Sequence, residues 1–191
     1  MFASIAGAPG FRHEKRGETG STNTDALAAA RHGDPGRLWI TATRQGQGKG
    51  RQGRSWVSDP GNLFASLLLI DPARDAVALG TLPLAVACGV HAALAGLPDM
   101  ARHDVKIKWP NDILVDAKKI CGILLESAAL ADGRLAVAIG IGVNCTHHPE
   151  LALYQATDLG QLEIDVLPDM LFPVLASSIA MTLDAWDHGR G

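Results

Sequence analysis

The chain has 191 residues, 47% of them apolar, and a formal net charge of −3. This length suits one domain with a sizeable core, and the acidic balance argues against a general nucleic-acid binder. No apolar run reaches, uninterrupted, the roughly 18 residues needed to cross a bilayer, and the N-terminus has no basic-then-apolar leader, so a membrane partner is not expected. Three cysteines, Cys88, Cys121 and Cys145, are too few and too scattered for a disulfide framework or a zinc site. Their apolar surroundings suit reduced, buried thiols in a cytoplasm.

Residues 1–17 are irregular, with Gly7, Pro9 and Gly10, and read as a loosely held, flexible N-terminal arm. Ser21-Thr22-Asn23 then precede an alanine-rich stretch that ends at Gly33, the pattern of polar capping residues, a short helix and a glycine stop. Leu38–Thr43 is strand-like. Leu63–Ile70 is a continuous apolar run, as expected of a strand buried on both faces. Ala76–Leu97 predicts a long apolar helix, kinked or started by Pro83. Val105–Trp109 and Ile113–Val115 are short strands separated by Pro110-Asn111-Asp112. Ile120–Glu126 and Leu135–Val143 are further strands, and a last helix runs from about Leu167 to Trp186 with Asp165 as candidate cap. Strands in the middle, with helices at the two ends and across one face, argue an α+β fold with one mixed, mainly antiparallel sheet and helices packed on it.

Residues 44–56 read RQGQGKGRQGRSW, four glycines and four cations ending in a tryptophan. Gly48-Lys49-Gly50-Arg51-Gln52-Gly53 has the letters of a dinucleotide fingerprint, but the turn-prone Arg54–Gly61 follows where a helix is required. A Walker loop also fails, because Lys49 is followed by Gly50. A glycine-rich loop can still wrap a phosphate with its backbone N–H groups, helped by Lys49, Arg51 and Arg54. Ordering such a loop is entropically costly, so it is expected to order over an anion. A solvated basic surface loop is the alternative on composition alone.

A second cluster decides between them. Lys106-Ile-Lys108-Trp109-Pro110-Asn111-Asp112 is followed by Lys118-Lys119-Ile-Cys-Gly122-Ile-Leu-Leu-Glu126 and by Gly140-Ile-Gly142-Val-Asn144. With the upstream Ser21-Thr22-Asn23 and the arginine-rich loop, this set resembles the catalytic domain of the biotin protein ligases, in order, from residue 21 to residue 144. The resemblance implies activation of biotin by ATP as biotinyl-5′-AMP, then transfer to a lysine of a biotin carboxyl carrier protein. It implies ATP and Mg²⁺ as cofactors and biotin as substrate, and it allows a homodimer.

The resemblance also implies roles. Ser21, Thr22, Asn23, Gln45, Lys49, Gly50, Arg51, Lys119 and Gly122 would bind biotin. Arg51, Arg54, Trp56, Asn111, Asp112 and Asn144 would bind the nucleotide, with Trp56 stacking on adenine. Lys119 and Arg51 would be catalytic, Lys119 at the meeting of carboxylate and α-phosphate and Arg51 in retention of the adenylate. Mg²⁺ would be held through the phosphates, with Asp112 the one candidate protein ligand. Relatives normally carry a C-terminal β-barrel, and some an N-terminal helix-turn-helix. Neither is visible in this sequence, so residues 18–191 are expected to be the catalytic domain alone. Three rivals stand beside this reading: a lipoate-type ligase, a non-catalytic biotin- or nucleotide-binding module, and a nucleic-acid binder using the basic loop.

Overall fold

The apolar run Leu63–Ile70 forms the strand β4, buried almost throughout because both of its faces are covered. The structure is a computed structural model that describes residues 3–73, 75–150 and 155–190. In chain order its other strands are β1 (Ala3–Ser4), β2 (Arg12–Thr19), β3 (Leu38–Gln45), β5 (Val105–Lys108), β6 (Asp112–Val115), β7 (Lys118–Ala129) and β8 (Leu135–Val143). The helices are α1 (Thr22–Arg31), α2 (Ala76–Ala95) and α3 (Pro168–Trp186). The strands make one sheet in the order β1-β2-β3-β4-β8-β7-β6-β5, antiparallel at every pairing except the parallel β2–β3 pair. The mixed, mainly antiparallel sheet of the sequence reading is therefore present.

The helices divide between the two faces rather than crossing one. Side chains alternate along a strand, and β4 and β8 separate large from small by this alternation. Leu63, Ala65, Leu67 and Leu69 of β4, with Val137, Ile139, Ile141 and Val143 of β8, face the core under α2 and α3. Leu68, Ala136 and Ala138 face α1, against Ala26, Leu27 and Ala30. The small residues of β8 on this second face let α1 lie close and leave open ground where α1 begins.

The irregular arm at residues 1–17 requires correction. Within it, β2 pairs in parallel with β3 from Arg12↔Leu38 to Thr19↔Gln45, so the sheet runs through the expected boundary at 17/18. The strand was hidden because its residues are mostly charged: it lies near the sheet's end, where ion pairs replace apolar contacts. Arg16 reaches Glu14 at 2.9 Å and Asp25 at 2.7 Å. Ile5, Ala8 and Phe11, just before it, are buried in the main core.

Helix ends differ in detail from the pattern reading. Ser21 is the N-cap of α1 by backbone, but its side chain caps nothing. Helix α2 starts on Asp75, whose carboxylate accepts from Ala78 N at 2.8 Å, and runs through Pro83. Helix α3 starts at Pro168, whose fixed φ suits a first helical position, rather than on Asp165.

Candidate active-site cleft

On the α1 face of the sheet, the glycines of β7 and β8 open a cleft of about 660 Å³. Gly140 and Gly142 continue the small-residue face of β8. A Cβ on Gly140 would stand 2.6 Å from Asn23 Oδ1, and one on Gly142 would stand 2.7 Å from the Trp56 indole. Glycine at these positions lets the start of α1 and the basic loop approach the sheet.

Ser21, Thr22 and Asn23 turn inward at one end, all at least 95% buried. The polar groups of Thr22 and Asn23 are held by partners from β3, β4 and β7. Gln45 Oε1 accepts from Thr22 N at 2.9 Å and lies 3.0 Å from Thr22 Oγ1, while Gln45 Nε2 donates to Ser58 Oγ at 3.0 Å. Ser66 Oγ, fully buried, lies 2.7 Å from Thr22 Oγ1 and 2.6 Å from Asn23 Oδ1. Three close oxygen–oxygen contacts here share the two hydroxyl protons of Thr22 and Ser66. The cluster is therefore rich in acceptors and suits a ligand group that brings N–H donors.

The basic loop crosses the cleft as a hairpin. Gly50 N donates to Arg54 O at 2.7 Å, Trp56 N donates to Gly48 O at 2.9 Å, and Lys49 bridges to Ser55. Gln52 and Gly53, at φ 58° and 74°, make the tip. Arg51 donates to Asn111 Oδ1 at 2.9 Å, joining the hairpin to the turn between β5 and β6. Asn111 in turn donates from Nδ2 to Ile123 O at 2.8 Å, which ties that turn to β7.

At the other end, Lys119 Nζ stands 2.7 Å from Asp112 Oδ1 and 5.3 Å from the centre of the Trp56 ring. The indole lies over Gly122 and Gly142. The resemblance gave Gly122 to biotin; here a Cβ on Gly122 would come within 2.8 Å of Trp56, and the indole covers that glycine.

Of the residues singled out from sequence, Ser21, Thr22, Asn23, Gln45, Lys49, Gly50, Arg51, Arg54, Trp56, Asn111, Asp112, Lys119 and Gly122 all line the cleft. Asn144 does not. Its buried amide donates to Thr157 O at 3.0 Å and holds the segment after β8, because β8 has passed the cleft by its last residue. Ser66, Ser58 and Glu126 were missed as partners of the site. Ser66 gave no signal beyond one hydroxyl inside an apolar strand, while Glu126 closed the Lys118–Glu126 motif but was assigned no role. The expectation of three buried thiols also changes: Cys121 and Cys145 are buried, while Cys88 is exposed on α2. Burial pushes the Cys145 thiol up to about 12 and the Cys121 thiol higher still, which leaves both unreactive.

Charge in the cleft is one-sided. Lys49, Arg51, Arg54, Lys108 and Lys119 line the cleft with a single acid, Asp112, while Glu126 stands behind the lining, 3.7 Å from Lys49. Asp112 already has Lys119 against it, and among the described residues no three His, Cys, Asp or Glu side chains converge. The described residues thus offer no protein cage for Mg²⁺, whose preferred octahedral oxygen shell needs more ligands than one paired carboxylate.

A sheet carrying an acceptor-rich polar pocket at one end of a cleft and a cationic hairpin across it defines a site for a small polar molecule joined to an anion. Comparison with known proteins agrees. Residues 19–144 match the model of the Biotin/lipoate A/B protein ligase family, and the chain belongs to that family. It is 43% identical over 132 residues, 69% of its length, to the biotin–[acetyl-CoA-carboxylase] ligase of Paracoccus denitrificans. The matched segment spans 54% of that relative, so the chain covers about half of the longer protein. The Aquifex aeolicus biotin protein ligase, solved in complex with biotin and ATP, superposes with a TM-score of 0.73 at 27% identity, over 93% of this chain and 72% of that one. The Leishmania major ligase shares the fold with a TM-score of 0.77 at 24% identity, over 93% and 76%.

Proposed function

We propose that this chain is the catalytic domain of an ATP-dependent biotin–protein ligase of the cytoplasm. Five cations against one carboxylate, beside an acceptor-rich pocket, carry this reading. The ureido group of biotin brings two N–H donors to the Thr22–Ser66–Asn23 cluster. Its carboxylate then points along the cleft toward Lys119, where the α-phosphate of ATP must also lie. Likeness to the Paracoccus denitrificans and Aquifex aeolicus ligases supports the assignment of both substrates.

The chemistry asked of the protein is positioning and charge neutralisation. A carboxylate oxygen attacks the α-phosphorus and pyrophosphate leaves, giving a mixed anhydride. The neutral ε-amine of an acceptor lysine next attacks the acyl carbon, AMP leaves, and an amide forms with loss of one proton. Lys119 offsets the negative charge that gathers as the two anions meet. Arg51 and Arg54, in the hairpin, cover the phosphate side and hold the adenylate for the second step. Trp56, resting on Gly122 and Gly142, offers its open aromatic face to adenine. Mg²⁺ enters only with the phosphates, as the residues present do not form a site of their own. The acceptor is the biotin carrier domain of a carboxylase.

Calorimetry with biotin alone, then with ATP and Mg²⁺, tests the reading, with mass spectrometry of the bound product. Biotin should bind by itself, and biotinyl-5′-AMP should accumulate when ATP is added. Binding without any adenylate would favour a non-catalytic biotin-binding module.

A further inference from the structure

The acceptor character of the polar pocket depends on which way the Asn23 amide points. Its Nδ2 donates to Leu124 O at 3.2 Å and to Glu126 Oε2 at 2.8 Å. Both amide hydrogens are thereby used, and Oδ1 is left facing Ser66 at 2.6 Å. A flipped amide would aim its oxygen at a carbonyl and a carboxylate, an arrangement of acceptors against acceptors that costs far more than the ordinary hydrogen bond it replaces. The carboxylate does a second thing: Glu126 Oε1 lies 3.7 Å from Lys49 Nζ, in the hairpin that crosses the cleft. Lys49 also reaches Thr24 Oγ1 at 3.4 Å, so the hairpin cation sits over the first turn of α1. Glu126 stands beside Ala138 of β8 in the sheet register. That small neighbour leaves room for the acid on the α1 face.

From this geometry we infer that Glu126 is a positioning residue for biotin: it fixes the polarity of the ureido end through Asn23 and ties the hairpin to that end through Lys49. The inference rests on the biotin-ligase reading above and adds a residue to it. One carboxylate senses both parts of the site. With Asn23 held, the pocket accepts hydrogen bonds from the ligand's N–H groups. With Lys49 held, the hairpin lies closed over the same ligand. The Asn23 contact is largely sheltered and charge-assisted, whereas the Lys49 contact is half-exposed and weak, so the two arms should separate in experiment.

The test compares wild type, Glu126→Leu, Glu126→Gln, Lys49→Met and the double variant Lys49→Met/Glu126→Gln. Two quantities are read: the biotin dissociation constant by calorimetry, and the rate at which preformed biotinyl-5′-AMP leaves the protein. Glu126→Leu removes the charged acceptor for Asn23, leaving only Leu124 O, and should weaken biotin about tenfold, while Glu126→Gln, which keeps one acceptor oxygen, should weaken it much less. Glu126→Gln should also lose the adenylate about threefold faster in the wild-type background and no faster in the Lys49→Met background. A merely structural role would lower the melting temperature without producing this non-additivity. If Glu126→Leu binds biotin as tightly as wild type, or the two hairpin effects simply add, the inference is wrong. Should Glu126→Leu fail to fold, the Lys49 cycle decides alone. If the wild-type protein itself binds no biotin, the function proposed above fails, and this inference falls with it.

Discussion

Lys119 Nζ lies 2.7 Å from Asp112 Oδ1, and both side chains are mostly withdrawn from water, 14% and 20% exposed. The backbone of Lys119 is pinned as well: its N–H donates to Gln155 O and its carbonyl accepts from Thr157 N, both at 2.9 Å. A lysine so placed is not a solvated turn residue. It is a fixed cation at the end of the cleft, able to exchange one anionic partner for another.

Lys119→Ala should therefore slow formation of biotinyl-5′-AMP about a hundredfold, the usual cost of removing one donor aimed at developing charge. Lys118→Ala removes the same charge one residue away, where the side chain does not line the cleft, and should change the rate little. Single-turnover assays on both variants make the comparison internal. Equal rates for the two would remove Lys119 from the mechanism.

Arg51 bridges the hairpin to Asn111 across the mouth of the cleft. Arg51→Gly should let the adenylate escape before transfer, while adenylate formation remains measurable because Lys119 is intact. The free anhydride acylates any exposed lysine amine. Labelling of an unrelated bystander protein should rise well above the wild-type level, and labelling confined to the carrier domain would show that Arg51 does not retain the intermediate.

The Trp56 indole rests on the bare backbone of Gly122 and Gly142. Gly142→Ala puts a methyl group where the indole now lies, and overpacking of this kind costs about 1–3 kcal/mol. The displaced ring should weaken the nucleotide more than biotin, seen as a KM for ATP about tenfold higher. Gly17→Ala, with nothing within 4 Å of its new methyl, serves as control. An unchanged KM for ATP would place adenine away from Trp56.

His13 tests the corrected N-terminal strand. Burial, helped by nearby Lys15, lowers its pKa below the ordinary 6.5, against the opposing pull of Asp169 and Glu14. Its ring packs on Phe172 at 4.2 Å and shares a hydrogen bond with Thr41 at 2.8 Å. The unfolded chain binds this proton first as pH falls, so the folded state loses stability below about pH 6.5. His13→Gln should flatten that loss between pH 7 and pH 5 in denaturant melts. An arm that made no sheet would give identical pH profiles for the two proteins.

Much of this architecture was legible where the physics is local or alternating. The run Leu63–Ile70 describes a strand covered on both faces and Leu135–Val143 a strand, and the structure has both. The motifs also named most of the cleft, because a phosphate-binding loop needs glycine and cations close together in sequence. β2 escaped because its stability comes from partners distant in the chain: a parallel neighbour and ion pairs, with no apolar alternation of its own. Ser66 and Glu126 escaped for a similar reason. Each is a single polar residue in or at the end of an apolar strand, and only the approach of α1, allowed by Gly140, gives it something to bond. Asn144 stands apart: it follows two glycines as the motif has it, while its side chain donates to Thr157 O and does not line the cleft.

The most direct test of the account is biotin-dependent exchange of labelled pyrophosphate into ATP by the purified protein. It reads the first chemical step alone and needs no acceptor protein. Exchange should be absent without biotin, appear when biotin is added, and fall about a hundredfold in Lys119→Ala. Exchange that is missing in the presence of biotin, or that proceeds equally well without it, would contradict the assignment of this cleft to biotin activation.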